Sequence, residues 1–144
     1  EVVRVHKQLW NFWSCFGDDL EKAISVNERT YANGAYAIRV RACVEADKKL
    51  KNKSANDIKA MGIATIMADE RFRLELWYAW RTGNGKPQKG EHLDIYNWTL
   101  CTGSRHSDGY VPSVDWHSDY RRLEVYWYHP DHAIGYLRSR EIVS

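Results

Sequence analysis

The chain predicts an α+β fold. Apolar residues recur at helical spacings of three and four through its first half and alternate at strand spacing through its second. Turn-rich stretches separate the two patterns, and the 144 residues suit one domain, 1–144, with N-terminal helices packed on an antiparallel sheet.

The elements follow in order. Val5, Leu9, Phe12, Trp13, Phe16, Leu20 and Ile24 predict a helix over 5–26, which Gly17 bends or divides. Polar Asn27 to Gly34 reads as a loop, and a second helix is expected from Ala35 to about Leu50, with Ile38, Ala42 and Ala46 on one face. Lys48, Lys49, Lys51 and Lys53 close it with the charge a helix C-terminus favours. Ser54 or Asn56 caps a third helix that carries Asp57 in its first turn and then Ile58, Met61, Ile63, Ile66 and Met67. Phe72, Leu74, Leu76, Tyr78 and Trp80 alternate with Arg73, Glu75, Trp77 and Ala79, the pattern of a half-buried strand. Thr82 to Pro87 is turn chemistry, and Gly83-Asn84-Gly85-Lys86 opens no helix as a phosphate loop would. His92 to Leu100 forms the next strand, Thr102 to Tyr120 a long loop, and Leu123 to Tyr128 the closing strand.

Composition narrows the function. With 21 basic and 19 acidic residues the net charge is +2, too balanced for a dedicated nucleic-acid binder. No apolar run approaches the roughly 20 residues of a membrane span, so no membrane insertion is expected, and Glu1-Val2-Val3-Arg4 does not read as a signal peptide. Seven Trp and nine Tyr exceed the needs of a small core; Trp77, Trp98, Trp116 and Tyr110 are candidates to line a groove. Cys15, Cys43 and Cys101 have no metal-ligand spacing and read as buried free thiols, a Cys15–Cys43 bridge being the alternative. Nor do His117 and His129-Pro130-Asp131-His132 fix a metal site, and no cofactor is expected.

One stretch carries chemistry. Gly90-Glu91-His92-Leu93-Asp94-Ile95-Tyr96-Asn97 sets a histidine at the head of a short alternating run, where it would serve as a general base. Asn33-Gly34-Ala35-Tyr36-Ala37-Ile38-Arg39-Val40 opens the expected second helix, the place where a helix N-terminus would stabilise a thiolate. Leu123-Glu124-Val125-Tyr126-Trp127-Tyr128-His129-Pro130 closes the sheet.

In their order and spacing, these blocks resemble the type VI secretion amidase effectors of the fourth amidase family, papain-like, NlpC-type peptidoglycan hydrolases. Trp10-Asn11-Phe12-Trp13-Ser14-Cys15-Phe16 is similar to that family's first aromatic helix. The resemblance implies a papain-like fold and a cysteine amidase cutting a stem peptide or crosslink of the bacterial wall. It also implies delivery to the periplasm of a target bacterium and a cognate immunity protein.

Carried over residue by residue, it makes His92 the base and Asp108 its orienting acid, with Asp94 as the next candidate. Asn33, Tyr36 and Asn97 would then contact substrate. The nucleophile maps to Ala35 when counted from Asn33 and to Tyr36 when counted back from Ile38-Arg39. Ala35 is preferred, because Cys-to-Ala exchange is the ordinary way to disarm a lytic enzyme and a tyrosine would fill the cleft. Cys15, Cys43 and Cys101 are weaker nucleophile candidates, since burial or a mid-helix position would raise their thiol pKa values. As written, the chain would bind substrate without turning it over. The rival readings are a natural peptide- or glycan-binding pseudoenzyme and an unrelated interaction domain that uses exposed aromatics.

Overall fold

In the computed structural model, which describes residues 1–143, the chain is α+β. The helices are α1 (Val2–Leu9), α2 (Leu20–Ala23), α3 (Ala55–Ala60) and α4 (Ala68–Thr82). The strands are β1 (Asn11–Ser14), β2 (Val26–Asn27), β3 (Trp98–Leu100), β4 (Ser104–Arg105), β5 (Val111–His117), β6 (Arg122–Tyr128) and β7 (Leu137–Arg138). Five strands form one sheet in the order β1-β6-β5-β3-β7, and β2 pairs with β4 in a second. The large sheet is mixed rather than antiparallel, because β1 runs parallel to β6 and β7 parallel to β3 at its two edges.

The segment read as a strand from Phe72 to Trp80 lies inside α4, the longest helix. Its buried positions Ala68, Phe72, Glu75 and Ala79 recur at helical spacing, with Arg71 beside them. Three of the buried side chains of α4, Glu70, Arg71 and Glu75, are charged while Trp77 and Trp80 are half-exposed, so hydrophobicity and burial run out of step. Local chemistry supports the helix at both ends. Glu70 accepts from the Met67 amide at 2.8 Å and Ser104 Oγ from the Ala68 amide at 3.0 Å, satisfying two free N–H groups of the first turn. Asp69 and Glu70 suit the positive end of the helix, and Arg81 the negative.

The α4 face packs on one side of the sheet. Phe72 and Ala68 meet Val114, Trp116, Leu123 and Val125 together with Val2 and Val3 of α1. Leu100, Val111 and Leu137 form a second cluster with Ala55 on the other side. Alternation along β5 and β6 brings Ser113, Asp115 and Glu124 to that same second face, with Asp115 and Glu124 directly opposite each other.

The first half departs most from the sequence reading. The expected helix over 5–26 breaks into α1, β1 and α2: the aromatic run Asn11–Ser14 gains more by pairing with β6 than by continuing a helix. Gly17 turns the chain at φ 79. Residues 35–47 form no helix either. That stretch runs extended and irregular to a 3-10 turn at Lys48–Leu50, held by side chains from elsewhere. Ser54, not Asn56, caps α3 and forms a reciprocal capping box with Asp57; the helix stops at Ala60, before Ile63. The region 102–120 holds the seven-residue β5 instead of a loop, and the strand read over 92–100 is confined to Trp98–Leu100. The closing strand lies where its alternation places it, as β6.

Candidate functional site

His92 sits in the bend between α4 and β3, not on a strand. Gly90 fixes the path into that bend, since a Cβ there would collide with the Ala79 carbonyl of α4. The ring is held on three sides. Its Nδ1 lies 2.8 Å from Glu75 Oε1, one face stacks on Trp116 at 3.4 Å and 3°, and Trp10 meets it edge-on at 5.0 Å.

Glu75 decides the tautomer. Burial works against its carboxylate, but Arg71 and the His92 hydrogen bond outweigh burial and hold its pKa below the ordinary value. A carboxylate only accepts, so His92 Nδ1–H donates to it. In the neutral ring the basic lone pair is therefore on Nε2.

Behind the histidine lies a fully buried ionic lattice. Arg71 binds Glu75 Oε2 at 2.7 Å and Asp94 Oδ2 at 3.0 Å, and Arg140 binds Asp94 Oδ1 at 2.8 Å. Two guanidinium and two carboxylate groups balance. Asp94 also accepts from the Thr99 hydroxyl and, at 2.8 Å, from the Ala46 amide. It adopts a left-handed backbone at φ 55, which a short polar side chain tolerates. Arg140 reaches on to the Cys43 and Val44 carbonyls at 2.8 and 2.7 Å, tying the extended 35–47 stretch to the core. Glu45 accepts from the backbone amides of Ile95, Tyr96 and Asn97, which fixes the bend that follows His92.

The exposed edge of His92 lines a cleft of about 420 Å³ between the end of α1 and the β5–β6 turn. Lys7 and Arg121 contribute positive charge, Gln8, Asn11 and Gln88 polar groups, and among the described residues no carboxylate lines it. Trp10, also in the lining, carries a buried indole N–H without a hydrogen-bond partner. The cleft offers a base, cationic groups and amide donors. Among the described residues no Ser, Thr or Cys side chain lines it, so a nucleophile drawn from elsewhere than these would be water or part of the ligand.

The other residues singled out in the sequence lie elsewhere. Ala35 and Asn33 are exposed in the irregular stretch, with no helix N-terminus at either; further along, Arg140 holds the Cys43 and Val44 carbonyls of the extended chain. Tyr36 donates to Glu70 at 2.9 Å and stacks on Tyr31, at the outer start of α4. None of residues 33–36 lines the His92 cleft. Asp108 occupies an exposed turn, 2.8 Å from His106 and accepting from the Tyr110 amide. It precedes β5, whereas His92 stacks on Trp116 near the far end of that strand, about 17 Å further along at 3.4 Å per residue. Glu75 holds the position expected of Asp108. Asp94 touches the two arginines and not the histidine. Asn97 is spent on Glu45 through both its amide and its side chain.

The cysteines are free thiols; Cys43 is exposed, while burial pushes Cys15 up to about 11 and Cys101 up to about 12. Among the described residues no group of three or more His, Cys, Asp or Glu is placed to hold a metal ion, and no helix is long and apolar enough to cross a membrane. Comparison with protein-family models, curated proteins and solved structures finds no match.

Glu75 is the neighbour of His92 that sequence reasoning missed, whereas Trp116, read there as a groove candidate, does line the cleft. The signal available for Glu75 was Arg71–Glu75 at i,i+4, a spacing that pairs charges on a helix and not on a strand.

Proposed function

We propose that His92 is the acid–base group of a hydrolytic site that binds an anionic substrate in the cleft between α1 and the β5–β6 turn. The observation that carries this is the carboxylate-oriented ring opening onto a cleft with two cations and no acid. Lys7 and Arg121 would hold a carboxylate or phosphate. His92 Nε2 would take a proton from water as it attacks and return one to the leaving group. Glu75 would keep the ring in the required tautomer and stabilise the imidazolium. The test is a nuclear magnetic resonance titration of the His92 ring with inorganic phosphate and with a carboxylate-bearing peptide. Saturable shifts that disappear in Lys7→Glu/Arg121→Glu support the reading; a His92 signal indifferent to both ligands removes it.

The wall-amidase reading is favoured by one specific observation. The histidine its motif designates as base is held by a buried carboxylate, beside cations that suit the carboxylates of a stem peptide. In that reading Glu75 replaces Asp108, and the 35–47 stretch must move to bring position 35 to His92. Delivery to a target periplasm and an immunity protein belong to this reading. Purified peptidoglycan, digested by the chain and by Ala35→Cys, tests it. Stem-peptide fragments released only by the variant would support a papain-like enzyme with its nucleophile at 35. A folded variant that releases none would leave the water-using site alone.

A further inference from the structure

A second cleft, sharing no lining residue with the first, runs between the extended stretch 38–44 and the exposed side of α4. Its volume is about 670 Å³, within the range of small-molecule sites. The walls are apolar: Ile38, Val40 and Val44 face Leu74 and Trp77, with Leu93 also in the lining. Trp77 is 50% and Val44 41% exposed, large apolar surfaces left to water in the lining of one cleft.

The charge in this groove has one sign. Among the described residues four arginines line it and no carboxylate does. Arg140 is committed to Asp94, and Arg41 to Asp47 and Glu141. Among the described residues Arg39 and Arg81 have no acidic partner; Arg81 lies over the Trp77 ring at 5.3 Å. An occupant that matches has a long apolar body and an anionic head.

We propose that this groove binds an anionic amphiphile of the fatty-acid class, as a free monomer, with its chain along Val40, Leu74 and Trp77 and its carboxylate between Arg39 and Arg81. Two exposed cationic side chains in the lining of an apolar trough match an anionic head, and the volume suits one chain rather than a protein surface. Exposed Cys43 lies in the lining and reports on occupancy, because Cys101 is buried and Cys15 half-buried.

The experiment uses the whole chain and dodecanoate below its micelle concentration. Binding is followed by calorimetry and by protection of Cys43 from a thiol reagent, with the modified residue located by mass. Saturable one-to-one binding that protects Cys43 is expected. Affinity should rise roughly fourfold for each methylene added from octanoate to tetradecanoate. Arg39→Gln/Arg81→Gln, two exposed positions that leave the core untouched, should weaken dodecanoate roughly tenfold. Dodecanol should then bind both proteins alike.

Four results would overturn the proposal. They are no protection of Cys43, equal binding of dodecyltrimethylammonium, tighter association with anionic phospholipid vesicles than with monomeric acid, or protection that rises with protein concentration alone. The last two would assign the groove to a membrane surface or to a second copy of the chain.

Discussion

Replacing Asp115 by asparagine should stabilise the protein, and the gain should grow with pH. Asp115 is 3% exposed on the second face of the sheet, and its Oδ1 has no hydrogen-bond partner. Burial, and then the Glu124 carboxylate across the strand pair, push its pKa up to about 8; Arg71 and Arg122 pull down and Asp94 pushes up to a lesser degree. In the unfolded chain the carboxyl ionises at its ordinary 3.8. Between these values the native state holds a proton that the unfolded state has released, so stability falls as pH rises. The loss accumulates at about 1.4 kcal/mol per pH unit, about 4 kcal/mol by pH 7, and is complete above about 8. Asparagine is neutral throughout and its amide can donate to Glu124. Urea unfolding at pH 4, 5.5, 7 and 8.5 is the assay. The two proteins should differ little at pH 4, and the variant should lead by several kcal/mol at 8.5 (about 4 or more). A difference that stays constant with pH would refute the reasoning, because it would mean that Asp115 is ionised in the fold.

His6 works in the opposite direction. Burial lowers its pKa to about 4, so stability present above pH 6.5 is lost as pH falls towards 4, by about 3 kcal/mol. His6→Gln should flatten that acid limb in the same urea series. Glu75→Gln should cost about 3 kcal/mol by leaving Arg71 short of a charge, and nitrogen chemical shifts should show His92 losing its preference for Nδ1–H. Arg140→Met should free the Cys43 and Val44 carbonyls and make the 35–47 stretch the first site of limited proteolysis. Ser54→Ala should remove the α3 capping box and lower stability by about 1 kcal/mol in thermal unfolding.

The two pH effects bear on one another. Over pH 4 to 6.5 the His6 and Asp115 slopes have opposite signs and comparable size, so the native protein should change little in stability across that range. In Asp115→Asn the His6 limb stands alone. A variant curve that rises between pH 4 and 6.5 while the native curve stays level would identify both groups together.

What the sequence made legible follows from where hydrophobicity and burial coincide. The α+β class, the Ser54 cap with Asp57 and the strand at Leu123–Tyr128 all express local rules that tertiary structure leaves intact. Phe72 to Trp80 broke the rule in both directions. Arg71 and Glu75 are buried because they satisfy each other, Asp94 and His92, while Trp77 and Trp80 stay half-exposed. An apolar count therefore sees period two where the backbone has period 3.6. Residues 35–47 failed for another reason. Their helical spacing is real, but Arg140 binds the Cys43 and Val44 carbonyls from outside, and Glu45 is spent on the backbone amides of the 95–97 bend.

The same lattice explains why half of the candidate site could be read and half could not. His92 was visible as a histidine within a short motif. Its orienting acid is expected downstream at Asp108, because the resemblance puts that acid in a turn after the histidine, and the strand pattern over Phe72 to Trp80 gives Glu75 no such role. On a helix, Glu75 lies one turn after Arg71, and Arg71 joins it to Asp94, two residues beyond the histidine. The lattice thus connects α4, the His92 bend and, through Arg140, the stretch 35–47. Replacing a buried ion pair with apolar residues is often neutral for stability, so stability alone does not account for keeping four charges there. Their arrangement fixes one histidine tautomer and the direction of one ring. Arg71→Met/Glu75→Leu separates the two roles: a variant that stays folded while His92 loses its response to phosphate would place the lattice in the service of the site.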